Sequence, residues 1–377
     1  EGEIRQGAEE PYLANIESYQ FYIGNTVDAE AQTITFGVDL REDNITAGTQ
    51  GGPLEGEENA NVLGFFLQDI ILISEELTAN VGARYDRYEL NDHLGQDFTN
   101  SGFSPNVGLT YDLSEEWSLR AGTATAYRGP EINDGFKLYP GGPSWEAGSV
   151  NDPDLEGESA RNNEISVNYN KDGFSFELGV FDNTIDDIIV NTVESEKSEM
   201  RAVPWGNYYT NLGTLETDGF YTRMSYSGEN YNISLLYDNA DTTVNGHKAT
   251  RYQYGSIAAS IGDSWVLDAS YQPNDQVYLG WNIRLVEGID DLEVTIPTDF
   301  SNGLIDKPGY TTHDFYLRWD PTFSDNFTLN LTVKNVFDKL YRGHGGLEDY
   351  SQLPGYEVII GANEPGRDVR LSGTLRF

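Results

Sequence analysis

Few residues in this chain could do chemistry, and most of them lie in polar stretches. There is no Cys, which removes thiolate metal sites and disulfide frameworks. His344 sits in "YRGHGG", flanked by Gly343 and Gly345. A neutral imidazole is a good iron ligand, and flanking glycines let a loop approach a ligand closely. The same residues describe a solvated loop histidine, and both readings stay open. His93 and His247 read as plain polar-loop residues. Asp152, Asp154, Glu156 and Glu158 recur at spacing two, as oxygen ligands of Ca²⁺ would. That spacing also arises where an acidic loop enters a strand. Lys137, Tyr139, Trp145 and Glu146 form a third group, between Pro130 and Asp154. Its aromatic rings either stack on a flat ligand or pack the loop. His313-Asp314 is the one adjacent His-acid pair. Strand alternation sends the two side chains to opposite faces, which argues against a hydrolase.

The elements that must position these groups read as strands. In "SLRAGTATAYRG", Leu119, Ala121, Thr123, Thr125 and Tyr127 share one face, while Ser118, Arg120, Gly122, Ala124 and Arg128 share the other. Val369, Leu371, Gly373, Leu375 and Phe377 alternate in the same way with Asp368, Arg370, Ser372, Thr374 and Arg376. Helical periodicity is nearly absent. Short turns recur at 73–77, 113–117, 170–173, 227–230, 272–275 and 323–326, with 25–32 as a longer version. Between them lie long polar segments, 41–59, 131–163 and 286–310. Short turns at one end and long loops at the other describe an up-and-down antiparallel meander. Thin apolar faces opposite polar ones describe a transmembrane β-barrel, apolar toward lipid and polar toward the lumen. His313 shares parity with Phe315, Leu317 and Trp319, so it faces outward near an aromatic girdle. Arg84, Arg120, Arg128, Arg318, Arg370 and Arg376 face the lumen, where they meet a partner or pair with carboxylates.

Counting hairpins gives about 15 strands. Bacterial single-chain barrels have even numbers, so a missing N-terminal part is expected. Counting back from a 22-stranded barrel makes the first strand, roughly 11–24, about the eighth. The start of the chain has neither Met nor a signal-peptide pattern, so a mature chain or a fragment is expected. Net charge is −39, which argues against nucleic-acid binding. Mean hydropathy is −0.50, and no apolar run approaches the ~18 residues of a membrane helix.

Several motifs resemble one family. "VLGFFLQDIILISEELTANVGARYDRYEL" (62–90) resembles its Phe-x-Gln-Asp and Gly-x-Arg-Tyr-Asp strands. Tyr127-Arg128-Gly129-Pro130 resembles its Phe-Arg-Ala-Pro box. "NDPDLEGE" (151–158), with Asp154 and Leu155, resembles Asn-Pro-x-Leu-Lys-Pro-Glu, with Asp152 inserted and Gly157 in place of the second Pro. "NLGTLETDGFYTRMSY" (211–226) resembles a further strand box. Asn335, Phe337 and Asp338, with the closing strand to Phe377, resemble its C-terminal signature. The family is that of the TonB-dependent outer-membrane receptors, and the resemblance covers nearly all of residues 1–377.

It implies a barrel in the outer membrane of a Gram-negative bacterium, without the family's plug and first strands. It also implies active transport rather than catalysis. The implied partners are outer-membrane lipid, the TonB-ExbB-ExbD complex acting through the plug, and the barrel-assembly machinery reading Phe377. The implied cargo is an iron complex, haem or a ferric siderophore. Other nutrients (cobalamin, an oligosaccharide) and a passive porin are the alternatives. No covalent cofactor is expected. In haem-type members a His commonly ligates iron between the two boxes. This chain has none there, which leaves Tyr139, Trp145, Lys137 and His344 as ligand candidates and Asp152, Asp154 and Glu156 as candidates for Ca²⁺.

Overall fold

The computed structural model describes residues 12–49, 54–132, 150–192, 208–251, 257–295, 302–322 and 326–376. Fifteen wall strands follow one another in chain order, each antiparallel to its neighbours. They are β1 (Tyr12–Ala29), β2 (Gln32–Thr49), β3 (Leu54–Leu72), β4 (Leu77–Asn91), β5 (Asp97–Asp112), β6 (Trp117–Arg128), β7 (Glu158–Lys171) and β8 (Phe174–Asp186). The wall continues with β9 (Leu215–Ser227), β10 (Tyr231–Val244), β11 (Ser264–Asn274), β12 (Val277–Val286), β13 (Tyr310–Trp319), β14 (Phe327–Lys334) and β15 (Asp368–Leu375). His247–Lys248 adds a two-residue flap on β10. This is the expected up-and-down barrel wall, with the expected strand number. Among the described residues β1 and β15 each pair on one side only.

Alternation places the side chains. Ile23, Val38, Phe65, Tyr85 and Phe103 stand directly opposite one another across β1 to β5. Trp281, Phe315, Val333 and Val369 do the same across β12 to β15. These rows face outward, with Phe103 59% and Val369 60% exposed. An apolar surface this extensive is stable only against lipid, where every backbone group must be paired within the wall.

The inner face is polar. Arg84 donates to Asp39 at 2.7 and 2.9 Å and to Asp86 at 2.7 Å. Gly64 lies between those carboxylates in the ladder, and a Cβ there would collide with the Arg84 guanidinium. Farther round, the Tyr221 hydroxyl donates to Glu164 at 2.6 Å, and Arg223 pairs with Glu177 at 3.0 Å.

The short turns have local causes. In both "ISEEL" and "LSEEW" the serine hydroxyl, of Ser74 or Ser114, accepts two backbone N–H groups of the turn. Asp172-Gly173 has φ of 47° and 81°, the backbone an Asp-Gly hairpin favours. Aromatic pairs gather at this end: Trp117 with Tyr169 at 4.7 Å and Tyr226 with Tyr231 at 5.7 Å. They form one interfacial girdle.

Two expected boundaries are corrected. The polar segment 41–59 is mostly strand, since β2 runs to Thr49 and β3 resumes at Leu54. A barrel strand needs only about ten residues to cross a membrane, so the outer halves of these 18- and 19-residue strands stand clear of it. There both faces meet water or loops, and apolar alternation fades. The segment 286–310 contains its own hairpin, Ile289–Thr295 with Asn302–Lys307. β14 itself stops at Lys334. Asn335 and Asp338, at φ 48° and 54°, form a turn.

Candidate functional site

The described parts of the long connections fold over the outer rim. Pairing of β5 with β6 stops at Ala124, and β6 then leans inward. Tyr127 therefore leaves the face of Leu119, contrary to simple alternation. Its ring lies 6.0 Å from that of Tyr88 and occupies space that a Cβ on Gly102 would need. Its hydroxyl stands where a Cβ on Gly157 would fall, so Gly157, the departure from the family's Pro, makes room for it. Arg128 Nε donates to Glu158 Oε2 at 2.9 Å, and Glu158 Oε1 accepts Ile189 N–H at 2.6 Å. Pro130 is buried. These contacts bring Ile132, Leu155 and Ile189 from the loops onto Ile45, Ala60, Leu90 and Phe98 of the wall. The motif residues Tyr127, Arg128, Pro130 and Leu155 thus act as architecture.

The acidic run does not converge on a cation. Asp152 is buried, with Oδ1 accepting Asp154 N–H at 3.1 Å and Oδ2 accepting the Thr210 hydroxyl at 2.7 Å. Asp154 and Glu156 are exposed, and Glu158 belongs to Arg128. Among the described residues no group of three His, Asp or Glu is placed to hold a metal ion. Asp152, Asp154 and Glu156, the residues expected for Ca²⁺, are not gathered around one point here. Asp152 caps the turn and ties it to a small loop sheet of Val150–Asn151, Ile189–Thr192 and Tyr208–Asn211.

His93 is bonded rather than a plain loop residue. Its Nδ1 lies 2.8 Å from Oε1 of Glu58, which is 1% exposed. Burial pushes this carboxyl above the usual range; the imidazole works against the shift, and the charge of Asp92 adds to it. Both groups stand on the outer extension, clear of the membrane. The register Asn59↔Asn91 sets His93 beside Glu58 just past the end of β4. An aligned reading of "GEEN" and "LNDH" would have found the pair.

The last loop forms a second knot. The Lys307 ammonium is buried and pairs with Glu348 Oε1 at 3.2 Å. It also donates to the carbonyls of Ser260 and His344 at 3.2 and 2.9 Å. Glu348 Oε1 accepts Arg251 N–H at 2.6 Å. Burial lowers the lysine pKa, and the glutamate partly restores it. His344 is not a solvated loop residue: it is 4% exposed. Nδ1 accepts Gly262 N–H at 3.1 Å, and Nε2 donates to Pro308 O at 3.1 Å. The ring stands edge-on to Tyr310 at 5.7 Å. Burial also lowers the pKa of this imidazole. Beside it is a cavity of about 270 Å³, bounded by Lys339, Tyr341, Arg342 and Pro308.

Lys137, Tyr139, Trp145 and Phe377 lie outside the described residues. His313 faces outward as expected and accepts from Trp281 Nε1 at 3.2 Å, while Asp314 turns the other way to accept Asn335 N–H at 2.8 Å. Arg84, Arg128, Arg318 and Arg370 all pair with carboxylates. Lumenal Arg120 and Arg376 form no ion pair among the described residues. The rim is built to hold loops in place.

The family model described as TonB dependent receptor-like, beta-barrel, matches residues 5–336. The heme transporter BhuA of Brucella abortus is 24% identical over 356 residues, covering 94% of this chain and 50% of that protein. The heme/hemopexin utilization protein C of Haemophilus influenzae is 22% identical over 382 residues, covering 94% and 49%. The chain thus spans about half the length of the curated relatives it matches. The FrpB iron transporter of Neisseria meningitidis superposes with a TM-score of 0.76 at 21% identity, covering 97% of this chain and 56% of that one. Members of the family are receptors and transporters rather than enzymes, and they lie in the Gram-negative outer membrane. With its outward apolar rows, polar inner face and inward-folded loops, the chain belongs to the TonB-dependent receptor-like β-barrel family.

Proposed function

We propose that this chain forms the wall and outer mouth of a receptor that takes up an iron complex, haem ahead of a ferric siderophore. Coverage carries the reading. The haem-protein relatives align along 94% of the chain, so the likeness includes the rim loops as well as the wall. In this reading the wall closes to 22 strands around a plug energised by TonB-ExbB-ExbD, and Phe377 addresses the assembly machinery. Tyr139 supplies a phenolate or a stacking face, helped by Trp145 and Lys137. His344, with both nitrogens engaged, positions the last loop.

The test is a haemin titration of the intact receptor, following the Soret band. A saturable shift that Tyr139→Phe abolishes supports haem and that ligand. His344→Ala is expected to weaken binding without moving the band. No shift, with tight binding of a ferric siderophore instead, transfers the reading to that cargo. Uptake that persists without TonB would leave a passive pore.

A further inference from the structure

The outward apolar face does not stop where the strands stop. On the outward face of β12 and β13, Trp281 donates to His313, and the His313 ring stands edge-on to Phe337 at 4.8 Å. Phe337 belongs to the turn after β14 and is 65% exposed. Leu340, three residues on, is 74% exposed. In water such a pair would be a liability. Here it continues the lipid-facing row of Trp281, Phe315, Val333 and Val369 past the end of the sheet.

Two cations flank this apolar turn. Lys339 lies between Phe337 and Leu340 in the chain, is exposed, and helps to bound the cavity beneath the loop. Arg367 precedes β15 with the parity of Val369 and Leu371, the outward one. The turn brings them together. Asp338 Oδ1 accepts Arg367 N–H at 2.8 Å, and the Asn335 amide donates to the carbonyls of Lys339 at 2.9 Å and Pro365 at 3.4 Å. Among the described residues neither cation pairs with a carboxylate, although the chain carries 62 acidic residues against 23 basic ones. Exposed apolar side chains next to unpaired cations suit a lipid with a phosphate headgroup.

We propose that the turn 335–340 with Arg367 is a binding site for a phosphate-bearing lipid of the outer leaflet. Phe337 and Leu340 enter the acyl boundary, and Lys339 and Arg367 take the phosphate. The site lies on the outside of the barrel, so it is independent of what passes through the lumen.

The experiment uses the intact receptor, purified and exchanged into nanodiscs doped with lipid A or with its dephosphorylated form. Native mass spectrometry counts the retained lipid. Wild type is expected to retain the phosphorylated form preferentially. Lys339→Gln with Arg367→Gln should lower that retention about twenty-five-fold, at about fivefold for each cation at a membrane surface. Lys171→Gln, at the opposite girdle, serves as a control and should change nothing. Heat-modifiable migration confirms that each variant is folded. Leu340→Cys, labelled with a polarity-sensitive dye, should report an apolar environment in nanodiscs. Equal retention of both lipids, a preference that survives the double substitution, or a dye that reports water would each overturn the proposal. Displacement of the lipid by millimolar inorganic phosphate would reassign the site to free anions and overturn it too.

Discussion

The outer rim holds two buried ionic knots, built in opposite ways. Over β2 to β5 the long strands rise above the membrane, and loops fold back onto them. Glu58 meets His93 there, and only Oε1 of the carboxylate has a partner, since Oε2 is buried without one. Over β12 to β14 the strands are 8 to 10 residues long and the loops must supply their own support. Lys307, Glu348 and His344 do so, and their described contacts leave Glu348 and both imidazole nitrogens engaged. Where the wall is tall, the loops pack on apolar wall side chains, with the Glu58–His93 pair and the Arg128–Glu158 pair beside them. Where the wall is short, loop is tied to loop by an apolar cluster of loop residues (Leu292, Val294, Ile305 and Tyr350) and by the Lys307–Glu348 network beside it. A half-satisfied network is costly in a way that a completed one is not.

The sharpest way to break this contrast is to unmake the completed knot. Glu348→Ala leaves the Lys307 ammonium buried without its carboxylate, at a cost of about 3–5 kcal/mol. The expected result is loss of hydrogen-exchange protection across 339–349, with the wall strands unaffected. Lys307→Met with Glu348→Gln removes both charges and keeps an acceptor for Arg251 N–H, so most of the protection should return. A double variant as exposed as the single would show that the charges themselves hold the loop.

This knot shows where sequence reading reached and where it stopped. Strand number, turn positions and the outward parity of His313 follow from a period-two pattern that lipid on one side and polar groups on the other impose along the whole wall. The pattern weakens where strands leave the membrane, which is why 41–59 looked like loop. Its parity also fails past Ala124, where β6 leaves β5 and Tyr127 no longer shares the face of Leu119. Lys307 and Glu348 are 41 residues apart on separate loops, and no local rule joins them. His344 looked available because its neighbours are glycines. The glycines proved misleading: a Cβ on Gly345 would meet nothing within 4 Å.

One glycine from each region tests the contrast by packing. Gly102→Ala drives a methyl group into the Tyr127 ring, and overpacking of this kind costs about 1–3 kcal/mol. It should release the loop at 150–158 to limited proteolysis. Gly345→Ala in the other region should stay within about 0.5 kcal/mol, as surface changes do. Equal sensitivity at the two positions would mean that the last loop packs as closely as the first region does.

Acid gives the smallest effect and separates the regions by sign. His344 has its pKa held below the ordinary 6.5 by burial. The loosened loop therefore binds more protons than the packed one, and the packing of 339–349 weakens as pH falls through 6.5 and below. Glu58 has its pKa raised above the ordinary 4.5 by burial. Here the packed state binds more protons, so the contact of Glu58 with the His93 turn strengthens as pH falls toward 4.5. Between those two values, hydrogen exchange should speed up in 339–349 and slow down around 92–96. In His344→Gln the first trend should vanish, and in Glu58→Gln the second. If both segments moved in the same direction in wild type, acid would be acting on the barrel as a whole rather than on two separately built knots.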